Sequence, residues 1–273
     1  MGIYLHEMKR GRMGLLAWGC VIGGMIALCL LLYPELTKEG ASIQAAIESM
    51  GTFTAAFGAD RLNYAELMGF YGIYGGCMLG IGGIFYAAVL GTGMLEKEER
   101  EHTAEFLLTH PVSRSQVVTE KLLAMISQML LLNGMVILLS VVSFCIIGEK
   151  PDWHDFFLFH GAQIVMQFEI LCICFGISAF LKKGATSAGI GIAAALYFLG
   201  VFGNITEKAE FVTYITPYTY ADGANVIPAG ELDIKAGYAG DGLCSDRPKF
   251  AAYGKVYQKR IFADMTGNVV KLS

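Results

Sequence analysis

Charge is what this sequence has least of. Asp, Glu, Lys and Arg make up 16% of its 273 residues, where a soluble domain carries about 25%. Hydrophobic side chains fill the difference at 55%, and the mean hydropathy is +0.52. So apolar a chain is not disordered, collagen-like or a disulfide-stapled secreted module, and it is a poor candidate for a cytosolic enzyme. Positive charge is scarce too. The net charge is -4, which leaves no basic footprint for nucleic acid. Cysteine is present, but Cys20, Cys29, Cys77, Cys145, Cys172 and Cys174 sit inside apolar runs, where the thiol behaves as a small hydrophobe. Catalytic motifs are missing as well. There is no Gly-x-x-x-x-Gly-Lys-Ser/Thr phosphate loop, no His-Glu-x-x-His pair and no Gly-x-Ser-x-Gly elbow.

Long apolar runs are what the chain does have. A bilayer core about 30 Å thick needs roughly 20 apolar residues of helix. Five runs qualify, at 13–33, 67–95, 122–147, 156–181 and 185–204. None alternates with the period of two that a barrel strand requires. The first is too long for a cleavable signal peptide and ends in Leu-Leu-Tyr-Pro-Glu, with no small-residue cleavage site. It reads as a retained span that Pro34 closes. The fold class is therefore all-α: a single polytopic helix bundle over 1–273, with five clear transmembrane helices.

Basic residues near span ends mark the cytoplasmic side. Lys9, Arg10 and Arg12 precede the first span, Lys97, Arg100, Arg114 and Lys121 lie between the second and third, and Lys182 and Lys183 between the fourth and fifth. Together the opposite segments carry fewer, five against nine. The N-terminus is thus expected inside. Two outside segments are long. Residues 43–50 have helical amphipathic spacing, and Tyr214, Tyr218 and Tyr220 suit the interface belt.

The segment 96–114 opens on a dense charge run and continues as Thr-Ala-Glu-Phe-Leu-Leu-Thr-His-Pro-Val-Ser-Arg. Phe106 and Leu107 follow Thr103 by three and four residues and share its helical face. Pro111 stops the helix, and Ser113 is placed to cap the next. Charge alone would suit a solvated loop, but an apolar Phe-Leu-Leu patch in a cytoplasmic segment needs a partner surface.

This wording, carried by Glu96, Glu98, Thr103, Glu105, Leu107, Leu108, Pro111, Ser113 and Arg114, resembles the permease subunits of ABC-2 type ABC transporters. The basic stretch 5–12 is similar to that family's interfacial elbow helix, and residues 216–222 to its outer-loop wording. The resemblance implies that 96–114 is a short coupling helix docking a separate ATPase subunit through Glu98, Thr103, Glu105, Phe106, Leu107, Leu108, Pro111 and Arg114, with Arg114 and Lys121 anchored at the lipid surface. ATP and Mg would be bound by that partner, with no cofactor or metal on this chain. It also implies a second permease copy or a sister permease, contact with membrane lipid, export, and a multi-pass place in a cell membrane of bacterial type. The alternative is an ATP-independent secondary carrier or channel, although no internal repeat of the kind such carriers use is visible.

The C-terminal segment 236–273 departs from the family. Asp241, Asp246, Arg247, Lys249 and Lys255 stand where a sixth span would lie, and each charge at the bilayer centre costs about 2.5–3.5 kcal/mol on insertion scales. A reading-frame slip and a genuine five-span variant both account for it. Within the spans, Glu169 reads either as a coupled carboxyl or as a neutral one bonded to a neighbouring helix. His160, Gln163 and Gln167 share one face and either line a path or bond helices together. Gly19 and Gly23, and Gly72, Gly76 and Gly80, form small-residue faces that suit either a dimer contact or packing within the chain.

Overall fold

The computed structural model describes residues 2–38, 49, 51–100, 114–178, 181, 184–205 and 216–230. Among them the chain is helical and has no strand. The elements are α1 (Gly2–Lys38), α2 (Thr52–Ala56), α3 (Leu67–Arg100), α4 (Arg114–Ile147), α5 (Trp153–Ser178), α6 (Ala185–Ile205), α7 (Tyr218–Ala221) and α8 (Gly223–Ala229). Five of these, α1 and α3 to α6, are long and apolar enough to cross a membrane.

The expected spans lie inside these helices, but two expected ends do not hold. The stretch 5–12 is not a separate elbow; it forms the opening turns of one continuous helix of 37 residues. Nor does Pro34 close the span. Proline removes one backbone donor and strains the turn before it, yet α1 runs one turn further. There the Thr37 hydroxyl donates to the Tyr33 carbonyl at 3.1 Å, and Lys38 pairs with Glu35 at 2.7 Å. At the helical rise, α1 is about 55 Å long, well beyond the apolar core of a bilayer.

α1 packs along α4, and α3 packs against α5 and α6. Leu15, Ile22, Ile26 and Leu30 form the buried stripe of α1, and Met125, Met129, Leu132 and Val136 that of α4. The glycine faces are used within the chain. A Cβ on Gly19 would lie 2.8 Å from Met135 Cε, and one on Gly23 would lie 2.6 Å from Leu139 Cδ1. On α3, a Cβ on Gly72 would meet Ile227 at 2.5 Å, and one on Gly80 would meet Tyr218 at 2.9 Å. The two small-residue faces are therefore seats for α4 and for the segment 216–230.

That segment corrects another expectation. Tyr218 and Tyr220 are 6% and 9% exposed and do not form an interface belt. Gly80 lies thirteen residues into α3, about 20 Å along its axis, so the chain folds back into the bundle. Glycine makes the notch from both sides, because a Cβ on Gly200 of α6 would also touch the Tyr218 ring, at 2.8 Å. Tyr214, the amphipathic stretch 43–48, most of the coupling segment (101–113) and the atypical tail 236–273 lie outside the described residues.

Candidate functional site

Three polar constellations stand out in an otherwise apolar bundle. The first is at its base, where α1, α3 and α4 meet. Lys121 is only 1% exposed. Its Nζ donates to the Met94 carbonyl of α3 at 2.8 Å and lies 4.0 Å from Glu7 Oε1 of α1. The expected lipid-surface anchor at Lys121 is thus a buried tie between helices. Its long aliphatic stem crosses the core, and its charge ends on a carbonyl and a carboxylate. One residue earlier, Glu120 Oε2 accepts the Ile3 and Tyr4 backbone N–H groups, each at 3.1 Å. These are orphan donors of the first helical turn, and a carboxylate also suits the positive end of the helix dipole. Tyr4 Oη adds a bond to Ser127 Oγ at 3.1 Å. The end of α3 and the start of α4 flank 101–113, and the opening of α1 is fastened to α4 directly and to α3 through Lys121.

The second constellation is central. Tyr71 Oη lies 2.8 Å from His160 Nε2 and 2.9 Å from Ser140 Oγ. Ser140 donates to the Val136 carbonyl at 2.9 Å, so its oxygen is left to accept from Tyr71. His160 Nε2–H then donates to Tyr71, and Nδ1, which has no partner among the described residues, is a bare lone pair. The opposite tautomer would bury an unsatisfied N–H, the costlier orphan. The tautomer is assigned here from the bonding network. One turn on, Gln163 Nε2 donates to the Ala221 carbonyl at 2.8 Å. After that, Asn133 Nδ2 donates to Gln167 Oε1 at 2.6 Å. His160, Gln163 and Gln167 are all inside the protomer, joined to α3, α7 and α4.

The third closes the end opposite the base. Asn204 Nδ2 donates to Asp222 Oδ2 at 2.9 Å, and the Ala224 N–H donates to Asp222 Oδ1 at 3.2 Å, capping α8. The Arg61 guanidinium lies 4.0 Å from the same carboxylate and donates to Asn225 and Asn204. Burial pushes the Asp222 carboxyl up, and the Asn204, Ala224 and Arg61 contacts oppose that rise.

Glu169 behaves differently from all of these. It lies near the middle of α5 and is exposed, with its Oε2 accepting from Tyr220 Oη at 2.8 Å. A family model described as ABC-2 family transporter protein matches residues 1–223. The chain belongs to the ABC-2 transporter family. No curated protein and no solved structure matches it.

As an ABC-2 permease it is a membrane transport subunit and not itself catalytic. Of the residues that carried the resemblance, Glu98 falls in the last turns of α3, and Arg114 is the first residue of α4. Thr103, Glu105, Phe106, Leu107, Leu108 and Pro111 lie outside the described residues. Among the described residues, no three His, Cys, Asp or Glu side chains gather as a metal site. Sequence reasoning missed the Tyr71–His160–Ser140 chain and the Arg61–Asp222 knot. Their members are far apart in the chain, and nothing local announces that they meet.

Proposed function

We propose that this permease is the translocating subunit of an ATP-driven exporter. It pairs with a second copy or a sister permease and docks a separate ATPase subunit that binds ATP and Mg. The N-terminus and 96–114 then lie on the cytoplasmic side of the cell membrane, and Glu98, Thr103, Glu105, Phe106, Leu107, Leu108, Pro111 and Arg114 form the docking knob. The observation that supports this reading is the base lock. Because Lys121 holds the Met94 carbonyl and Glu120 holds the start of α1, a push on the intervening segment reaches α1, α3 and α4 together. ATP drives the change by favouring the closed ATPase pair, and the helices then open an outward path.

Leu107→Asp with Leu108→Asp is expected to abolish copurification of the ATPase, while the protein still inserts and melts normally. A carrier working without ATP would keep its transport in that variant, and retained ATPase binding would remove the docking role.

Glu169 is proposed to line the path between the two permeases. An unpaired carboxylate facing hydrocarbon costs several kcal/mol, whereas a wet path or a partner surface relieves it. Replacing it by Gln keeps the shape and removes the titration. The pH profile of ATP-driven transport is expected to flatten, and an unchanged profile would leave Glu169 only its bond to Tyr220.

A further inference from the structure

Between the opening turns of α1, the end of α3 and the first half of α4 lies a cavity of about 210 Å³, which Thr186 of α6 also lines. Its lining combines two polar side chains with apolar walls. Glu7 lies at the base beside Lys121, Gln128 lies deeper, against Gly11 and Tyr86, and Leu15, Trp18, Val89 and Leu90 supply the apolar walls. Glu7 and Trp18 are eleven residues apart on α1, about 16 Å along its axis.

Two features mark this as a binding site. Gln128 is 1% exposed. Its Oε1 accepts from Tyr86 Oη at 3.4 Å, but its Nε2 has no partner among the described residues. A buried donor left unmade costs about 1–3 kcal/mol, so an acceptor from outside the chain has something to gain there. Glu7, 7% exposed, has among the described residues the lysine 4.0 Å away as its ion-pair partner and can accept from a further donor. Glycine keeps the space open. A Cβ on Gly14 or on Gly93 would meet no atom within 4 Å, although both residues line the cavity.

Size and position narrow the ligand. Sites that enclose a whole small molecule run about 300–1,000 Å³, so this cavity takes only part of one. Gly14 and Met13 beside it are exposed on a helix that crosses the membrane, so the remainder of the ligand lies in the bilayer. We infer that the cavity binds one amphiphile, with an ammonium or hydroxyl donor at Glu7, an ester or phosphate oxygen at Gln128, and the start of its chain along Leu15, Trp18, Val89 and Leu90. A resident phospholipid and a transported amphiphile share this chemistry. The site does not depend on the ATPase docking proposed above.

The test uses the purified permease in vesicles of equal parts phosphatidylethanolamine and phosphatidylglycerol, with a photoreactive phosphatidylethanolamine as probe. Cross-links are expected to concentrate in 7–18 and 86–94. Gly14→Leu with Gly93→Leu fills the cavity and is expected to lower that labelling about tenfold, the effect of one good contact on affinity. Gly24→Leu on the same helix also points into open space, away from the cavity, and should leave labelling intact. Gln128→Leu keeps side-chain bulk and removes the donor, which separates loss of binding from loss of fold when its melting is followed in parallel. Equal labelling of the filled or Gln128 variants, or wild-type labelling spread evenly along exposed α1, would overturn the site. In the complex with its ATPase, photolysis is delayed until after ATP turnover: labelling that survives turnover marks a resident lipid, and probe carried to the opposite leaflet before photolysis marks cargo.

Discussion

Replacing Lys121 by Met is expected to destabilise the protein by about 3–5 kcal/mol, the cost of breaking a buried ion pair from one side. The substitution keeps the aliphatic stem and deletes the charge. It leaves Glu7 buried without a cation and the Met94 carbonyl without its 2.8 Å donor. Adding Glu7→Gln should recover much of the loss, because removing both members of a buried pair is far milder than removing one. Thermal unfolding of the two variants in the same detergent reads this directly. A single variant that melts like the parent would mean that the ammonium does not hold the base. On the docking proposed above, the same substitution should weaken ATP-driven transport more than it weakens ATPase binding, since the docking surface stays while the ammonium link among α1, α3 and α4 is lost.

Gly223→Val should be the most disruptive change at the other end. A Cβ at Gly223 would lie 2.7 Å from the Gly72 carbonyl oxygen and 3.0 Å from Gly72 Cα. Those neighbours are backbone of a packed helix and cannot rotate away. Overpacking of this kind costs typically about 1–3 kcal/mol, sometimes more. The cheapest relief is for 216–230 to leave its notch. A Tyr220→Cys reporter, buried in the parent, should then react with an external thiol reagent only when Gly223 is also Val. The background is a protein with its remaining cysteines replaced by Ala or Ser. A Val variant whose reporter stays protected would show that the α3 face yields more easily than its geometry implies. Gly161→Ala is the contrast, because a Cβ there meets nothing within 4 Å. That change should be neutral or stabilise by up to about 1 kcal/mol through helix propensity.

The spans were readable because crossing a bilayer is a matter of local composition: a long enough apolar run needs no knowledge of its neighbours. Their ends were less so. The charged turns 96–100 and 114–121 remain helical once outside hydrocarbon, so α3 and α4 extend past the hydropathy signal. Lys121 was misplaced for a different reason. A basic residue at a span end ordinarily reaches the headgroups, and only the meeting of α1, α3 and α4 supplies Glu7 and a carbonyl at that spot. Tyr218 and Tyr220 likewise carry the composition of an interface. What buries them is a groove of glycines on α3 and α6, whose depth exists only after those helices pack. Glu169 was recognisable as unusual from its charge alone, whereas its exposure and its bond to Tyr220 required the fold.

The glycines of α1 also set where this protein is free to drift over generations. One side of the helix is committed to α4, with Gly19 and Gly23 under the Met135 and Leu139 side chains. A methyl group there would force the ends of the Met135 and Leu139 side chains to move aside, and anything larger would reach the backbone of α4. The other side carries Met13, Val21 and Leu28, all well exposed, where any oily residue of similar length serves equally. Related sequences should keep the committed side nearly letter for letter while shuffling Leu, Ile, Val and Met along the free one. A stripe on the free side that proves equally invariant would reveal a neighbour other than lipid.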